Sequence, residues 1–368
     1  MDKPIKVLQF SLSESIGGIE TFLRNLYKQF DHNEIQFDFV TTYDSPVYKN
    51  EFLAGGSIIH RVPSPKNPIG YYRAVKRIIS QNKYKIVHIN KNSAADLVPF
   101  TVCKKLKVPV VIAHAHNTKS TVGRLADMLN YLNRKRMDKL MTRCFASSEE
   151  AAEWMFGKAY CQQNEVPVLK NGIALQDFSY QSDKRNEVRH RLSLTDKFVV
   201  GHVGKFHSRK NHDFLLEIFK ELHSRKPESI LLLAGTGPLM AHVQQKAHSL
   251  GIGDAVMFMG AQSNVNSYYA AMDAFVMPSL LEDLPVAALE AQAAGLPLFL
   301  SDTIDSEVEV TNNVKWLSLQ QQPSIWAEMI LNTCEVFERK PQDEEMRKAG
   351  YDMAEIAEQL KEVYLKAK

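Results

Sequence analysis

Two glutamates eight positions apart, Glu282 and Glu290, stand in the stretch "MPSLLEDLPVAALEAQAAGLP" at 277–297. In one continuous helix they would lie roughly 12 Å apart along the axis, too far to serve one small group. Pro285 suits the first position of a helix and Gly295 the residue just past its end, so the spacing predicts a helix over 285–294. Glu282 then sits on a loop that turns back over the helix start, and Asp283 hangs beside it. Backbone amides of Leu284 and Val286 point toward the carboxyl edge of a sheet. Glu290, one to two turns in, has Ala287, Ala288, Ala291, Ala293 and Ala294 around it, as on a helix packed closely on a sheet. A carboxylate there can accept hydrogen bonds from adjacent hydroxyls of a polyol such as a ribose. The plainer alternative is an acid satisfying the helix dipole, with Glu290 on the surface.

A second group of chemically able residues lies in "VGKFHSRKNHDFLLEIF" at 203–219. Lys205, Arg209 and Lys210 fall between a strand and a helix, with Asn211 as the expected N-cap. Cations at the carboxyl end of a strand, beside a helix N-terminus, can form a diphosphate clamp; a solvated basic turn is the plainer alternative. Phe206 follows "GK" where a Ser or Thr would hold magnesium, so this is not a Walker A loop. "AGTGPLM" (234–240) has two glycines of a dinucleotide fingerprint and lacks the third, which discounts NAD.

The N-terminal half offers weaker signals. Gly17 and Gly18, in "SLSESIGGIETFLRNL", let backbone approach a ligand and open a helix whose free N–H groups attract an anion. A tight turn explains the same pair. His114 and His116, in "VVIAHAHNTKS", share one face by strand periodicity, and either could touch substrate. No third ligand stands nearby, so metal binding is set aside. "YLNRKRMDKLMTR" (131–143) places Arg134, Lys135, Lys139 and Arg143 on a helix with Leu132 and Leu140, suited to anionic lipid or to a solvated face.

The elements that must position these residues alternate between strand and helix, which predicts an α/β chain of parallel sheets. The expected strands are 5–10, 35–42, 57–62, 85–90, 109–116 and 143–148 in the first half, then 197–206, 229–235, 255–261, 274–279 and 296–302. "VPSPKNPIG" (62–70) reads as a loop. At 368 residues two domains are the natural division. The expected boundaries are 1–170, an interdomain connection at 171–196, a second domain at 197–345, and a terminal helix at 346–368 packing back toward the first domain. Four scattered cysteines argue for a reducing cytoplasm and against a cysteine-based zinc site. No apolar run reaches bilayer-spanning length and no signal peptide precedes the first strand, giving a cytoplasmic expectation. Residues 1–180 carry 25 Lys and Arg against 16 Asp and Glu, whereas the remainder carries 20 against 26. A basic first half suits a phosphate-bearing substrate or an anionic membrane surface, and equally a solvated face without a partner.

Taken together, "GGIE", "HAHN", "KNGI", "VGKF…RKN", "LLLAGTGP", the Glu282–Glu290 element and "SDTIDSEVEV" resemble the family-4 retaining glycosyltransferases with the GT-B fold, of the bacterial capsular and exopolysaccharide type. The resemblance implies two Rossmann-like domains facing across a cleft. It implies a nucleotide-sugar donor, most simply UDP-linked, in the second domain. The acceptor, a saccharide or lipid-linked saccharide, would bind mainly the first, with no nucleic acid partner and no cofactor or metal. Glu290 would hold the donor ribose and Glu282 a hydroxyl of the donor sugar. Lys205 and Lys210 would hold the diphosphate, helped by backbone at Gly17, Gly18 and Val286, and backbone near Gln262 would read the base. The family's strand-end histidine maps onto His116, less securely onto His114. Lys205 stands where an Arg is usual, and "EDLP" replaces the commoner "EGFG", leaving sugar identity open. The enzyme would work at the inner face of the plasma membrane, with a peripheral contact to anionic lipid. Competing readings are a UDP-sugar epimerase or phosphorylase on the same architecture, or a non-catalytic nucleotide-sugar-binding protein.

Overall fold

The structure is a computed structural model describing residues 4–118, 123–262, 264–282 and 284–366. Asp283 lies outside the described residues. The chain divides into two compact units, one formed by Met1–Gly172 with Asp352–Lys368, the other by Ile173–Tyr351.

The first unit is built on a parallel sheet of β1 (Ile5–Leu12), β2 (Ile35–Thr41), β3 (Ile59–Arg61), β4 (Ile86–Lys91), β5 (Val110–Ala115) and β6 (Arg143–Ala146), ordered β3-β2-β1-β4-β5-β6. Alternate residues feed two cores, one on each face. Leu8 and Phe10 join Val87 and Ile89 on one side, while Val7 joins Phe22, Leu26 and Phe37 on the other. Period-2 alternation with both faces apolar is what a sheet covered by helices on each side requires. The helix Met353–Leu365 belongs to the second of these cores through Met353, Ile356, Leu360 and Tyr364.

The second unit repeats the plan with β7 (Phe198–Val203), β8 (Ser229–Ala234), β9 (Val256–Gly260), β10 (Ala274–Met277), β11 (Leu298–Ser301) and β12 (Val314–Leu317), ordered β12-β11-β10-β7-β8-β9 and parallel throughout. Each sheet therefore reverses its strand order once, between β1 and β4 and between β7 and β10. In open α/β sheets, ligands bind at the carboxyl ends of the strands flanking such a reversal. Gly17 and Gly18 follow β1, and the loops bearing Lys205, Lys210 and Glu282 follow β7 and β10, beside these reversals; His114 and His116 lie at the end of β5, one strand further out.

Several boundaries differ from expectation. Residues 173–196 are not a bare connection: helices Leu175–Phe178 and Ser182–Arg191 pack on the second unit, burying Ile173, Leu175, Val188 and Leu194 in its core. Arg185 and Arg189 clamp Asp273 there. Met346 and Tyr351 are buried in the same core, so the crossing to the first unit comes at 352 rather than 346. The predicted loop at 62–70 ends early, because Asn67 caps a helix at the Gly70 amide and Pro68 opens it. Strand β12 has only four residues, one of them an exposed Lys315, and carried too little apolar alternation to be recognised.

Candidate donor-binding and strand-end sites

The loops after β7 and β8 form one fused surface. The Gly204 amide donates to the Ala234 carbonyl at 3.0 Å, and the Phe206 amide to the Thr236 carbonyl at 2.9 Å. A Cβ on Gly235, where φ is +144°, would stand 1.9 Å from the Gly204 carbonyl oxygen; one on Gly237 would stand 2.4 Å from that of Phe206. The two glycines of "AGTGP" are thus explained by loop-to-loop approach rather than by a dinucleotide.

Packing against Gly204 brings Lys210 inward, since a Cβ at 204 would lie 3.2 Å from Lys210 Cε. Lys210 Nζ reaches the Glu282 carboxylate at 2.8 Å, with both side chains mostly enclosed. The loop bearing Glu282 is fixed from three directions. The Leu280 amide donates to the Arg209 carbonyl at 2.7 Å; Ser301 and Thr303 hydroxyls each donate to the Ser279 carbonyl at 2.6 Å; Glu282 itself bridges to Ile304. This gives "SDTID" its structural role, which is to hold the Glu282 loop in place. Lys205 is exposed on the same loop surface as Lys210, and Asn211 does precede the helix His212–Arg225 but in a left-handed conformation without a side-chain capping bond.

The helix after Glu282 runs Val286–Ala293 with Pro285 as N-cap and Gly295 at φ +68° beyond it, close to the predicted span. Its first amides, beginning at Val286, have no intrahelical acceptor and face an anion readily. Glu290 accepts a hydrogen bond from Tyr269 Oη at 2.8 Å. Burial raises its carboxyl to about 7, against the lowering effect of that bond. A carboxylate poised near neutrality and aimed from a helix flank is suited to receiving hydroxyls. Tyr269 carried no signal in the sequence, because its link to Glu290 is purely tertiary. Leu284 leads into the helix, and Gln262 lies on the exposed loop after β9, its side-chain amide donating to the Met259 carbonyl.

In the first unit, Gly17 caps the helix Gly18–Tyr27, and a Cβ on Gly18 would lie 3.7 Å from Asn171 Nδ2. His114 is fully buried at the end of β5, whereas His116, one residue past the strand, is partly exposed. Their rings lie 4.0 Å apart, as the shared strand face predicted. His116 Nε2 bonds to Asn90 Oδ1 at 2.9 Å. Burial drives both imidazoles down, His116 to about 3, so both are neutral at physiological pH. Asn90 and Asn171 are site neighbours that residue type alone did not single out, although Asn171 lies in the quoted "KNGI". A cavity of about 450 Å³ opens at the carboxyl ends of β1, β2 and β4, lined among others by Glu20, Tyr43, Tyr71, Lys91 and Asp96. Lys91 is paired with Asp96 at 2.7 Å.

These features define two parallel-sheet α/β units, the second carrying Lys205, Lys210 and Glu282 on loops at the carboxyl ends of its strands. Residues 16–177 match the family "Glycosyltransferase Family 4" and residues 183–353 match "Glycosyl transferases group 1". The chain is 33% identical over 369 residues to "Putative glycosyltransferase EpsF" of Bacillus subtilis (strain 168), covering 98% of this chain and 96% of that one. It belongs to the family-4 glycosyltransferases. It is also 23% identical over 320 residues to the UDP-Gal:alpha-D-GlcNAc-diphosphoundecaprenol alpha-1,3-galactosyltransferase of Escherichia coli, covering 84% and 82% of the two chains. In fold it matches the crystal structure of Anabaena Alr3699/HepE in complex with UDP, with a TM-score of 0.75 at 17% identity, covering 98% and 100% of the two chains. That neighbour places the chain in the GT-B fold.

Proposed function

We propose that the protein transfers a hexosyl group from a UDP-sugar to a saccharide or lipid-linked saccharide in surface polysaccharide assembly, with retention of anomeric configuration and without a metal. The Lys210–Glu282 pair carries this reading: it sets a cation for diphosphate beside a carboxylate for sugar hydroxyls, one helix away from Glu290 for ribose. Lys205, Lys210 and the Val286 amide stabilise the departing diphosphate, the charge that must be met in the transition state. The cavity of the first unit holds the acceptor, and His116 meets the transferred sugar. UDP is favoured as donor because a UDP complex exists for the related fold and the Escherichia coli relative is named for a UDP-linked donor. The test is a panel of nucleotide-sugars scored for binding and slow hydrolysis in wild type, Glu290→Ala and Lys210→Ala. Unchanged binding in both variants would remove the site. Proton NMR of the first-formed product reads the anomeric outcome, and activity surviving EDTA tests metal independence.

We also propose a peripheral contact with an anionic membrane on the cytoplasmic side. The helix expected over 131–143 instead spans Arg124–Met137, leaving Lys139 in the turn and Arg143 opening β6. It is inverted in polarity. Asn130, 1% exposed, donates to the Trp154 carbonyl and accepts from the Ala94 amide, whereas Leu125, Met128, Leu129 and Leu132 face outward. That i, i+3, i+4, i+7 stripe, flanked by Arg124, Lys135 and Arg136, suits a lipid surface with anionic headgroups. Among the described residues no helix is long and apolar enough to cross a membrane. Flotation with phosphatidylglycerol vesicles should be lost in Met128→Glu/Leu132→Glu; equal flotation of wild type and variant would refute the contact.

A further inference from the structure

His202 lies near the carboxyl end of β7 and is 1% exposed. Its Nδ1 stands 2.9 Å from the Val276 carbonyl oxygen on the neighbouring strand β10. A carbonyl oxygen can only accept, so Nδ1 carries the hydrogen of the neutral ring and Nε2 presents a lone pair. The ring is hemmed in by Phe275, stacked with centroids 6.2 Å apart, and by His212, edge-on at 4.9 Å and itself stacked on Phe206 at 4.3 Å. Nε2 is buried and has no hydrogen-bond partner among the described residues. Burial drives the imidazole well below its usual pKa, with His212 and Lys210 adding to the effect, so it stays neutral at physiological pH.

Nε2 faces the space that a side chain at Gly204 would fill. A Cβ there would stand 3.1 Å from His202 Nε2, 3.2 Å from Lys210 Cε and 3.4 Å from Lys210 Cδ. The lone pair and the end of the lysine stem therefore flank one point, and the ammonium, one bond beyond Cε, goes on to Glu282 at 2.8 Å. An ammonium has three hydrogens, and Glu282 Oε1 takes one of them. A buried acceptor left unmet is costly, and the nearest mobile donor to this one is Lys210.

We propose that His202 is a positioning residue for Lys210: when a diphosphate draws the ammonium off Glu282, Nε2 accepts one of its hydrogens and the other two are aimed at phosphate oxygens. The inference rests on the donor site proposed above and adds to it a residue that does not itself touch the ligand. A neutral acceptor suits the task. A carboxylate in this place would cancel the positive charge that the diphosphate requires, and an apolar side chain would leave a flexible lysine stem unaimed. The bond to Nε2 forms only in the liganded state, so its free energy goes into donor affinity rather than into the stability of the free protein.

The test is a double-mutant cycle on the full-length protein, read by calorimetry with UDP at pH 8. His202→Asn keeps an amide hydrogen for the Val276 carbonyl and removes the acceptor at the Nε2 position; His202→Phe keeps the bulk of the ring and removes both, so one can stand in if the other fails to fold. Each should weaken UDP binding about five- to tenfold, the scale of one buried hydrogen bond, when Lys210 is present, and less than about twofold in Lys210→Ala. A merely structural role for His202 would give the same loss in both backgrounds. The long-range proton–nitrogen spectrum, with His202 assigned by its loss in His202→Asn, supplies a second reading: the Nε2 resonance of wild type should move upfield on adding UDP, and that of UDP-saturated Lys210→Ala should stay in place. Equal losses with and without Lys210, or an Nε2 resonance unmoved by UDP in wild type, overturns the proposal. A wild type that binds neither UDP nor any UDP-sugar would instead remove the donor site itself, and this inference with it.

Discussion

Replacing Glu290 by Gln separates what this residue costs the fold from what it gives the ligand. Its carboxyl is held at about 7 by burial, against an ordinary value of 4.5. At about 1.36 kcal/mol per unit, carrying the ionised group at pH 8 costs the folded second unit about 3 kcal/mol. The folded state binds more protons than the unfolded one between pH 4.5 and 7. Stability contributed by this residue is therefore complete below about 4.5, declines as pH rises through 7, and is flat above. Gln keeps an acceptor for the Tyr269 hydroxyl and cannot ionise. Glu290→Gln should raise the melting temperature at pH 8 by several degrees, at roughly 2–4 °C per kcal/mol, and change it little near pH 4.5.

The ligand should report the opposite. Hydroxyls bonding to a charged acceptor contribute roughly 1.5–3 kcal/mol, so the same substitution should weaken UDP-sugar binding by about ten- to a hundredfold. Because only the ionised form serves, wild-type affinity should fall about tenfold between pH 8 and pH 6, while the variant's affinity stays level. A UDP-sugar is the right probe, since its diester phosphates do not titrate in that window. Calorimetry at both pH values, with thermal melts beside it, makes the measurement. A destabilised variant at pH 8, or one that keeps wild-type affinity and its pH slope, would refute the assignment of Glu290 to the ribose.

Lys210→Ala should weaken UDP-sugar binding by at least tenfold and flatten its salt dependence, as read by titration at two ionic strengths. Gly235→Ala should destabilise the second unit by more than about 2 kcal/mol in denaturant melts, because a Cβ there meets the Gly204 carbonyl at 1.9 Å on a backbone with φ of +144°. Asp273→Asn should cost about 3 kcal/mol by the same assay, since it removes the carboxylate shared by Arg185 and Arg189 and leaves two enclosed guanidiniums uncompensated.

What the sequence disclosed followed from local chemistry. Pro285 and Gly295 bracketed a helix because each is suited to one end of it, and strand alternation put His114 and His116 on a single face. What it concealed depended on partners distant in the chain. Tyr269 gains its role only by bonding to Glu290 from a position 21 residues earlier in the chain, on the helix Asn266–Ala271. The helix Arg124–Met137 was misplaced for a related reason: its buried side is anchored by Asn130 and Asn133 bonding to the loop after β4, so charge and apolar periodicity pointed to the wrong register. The polar run at 171–196 looked like a linker because Arg185 and Arg189 read as solvated charges, whereas both are spent on Asp273 and on carbonyls at 270–272.

The Lys210–Glu282 pair bears on how transfer proceeds. A carboxylate that attacks an anomeric carbon must come within bonding distance with its charge available. Glu282 instead lies on a loop pinned at Ser279 and Ile304, with its carboxylate engaged by an ammonium. A diphosphate entering beside the pair competes for Lys210, and the carboxylate it releases needs hydrogen-bond donors at once, because an enclosed unpaired charge is costly. Sugar hydroxyls supply those donors. On the proposed function the pair would favour a complete nucleotide-sugar over a bare nucleotide and spend Glu282 on orientation. On the same reading, the departing phosphate would then take the proton of the incoming hydroxyl, as in a front-side transfer with retention.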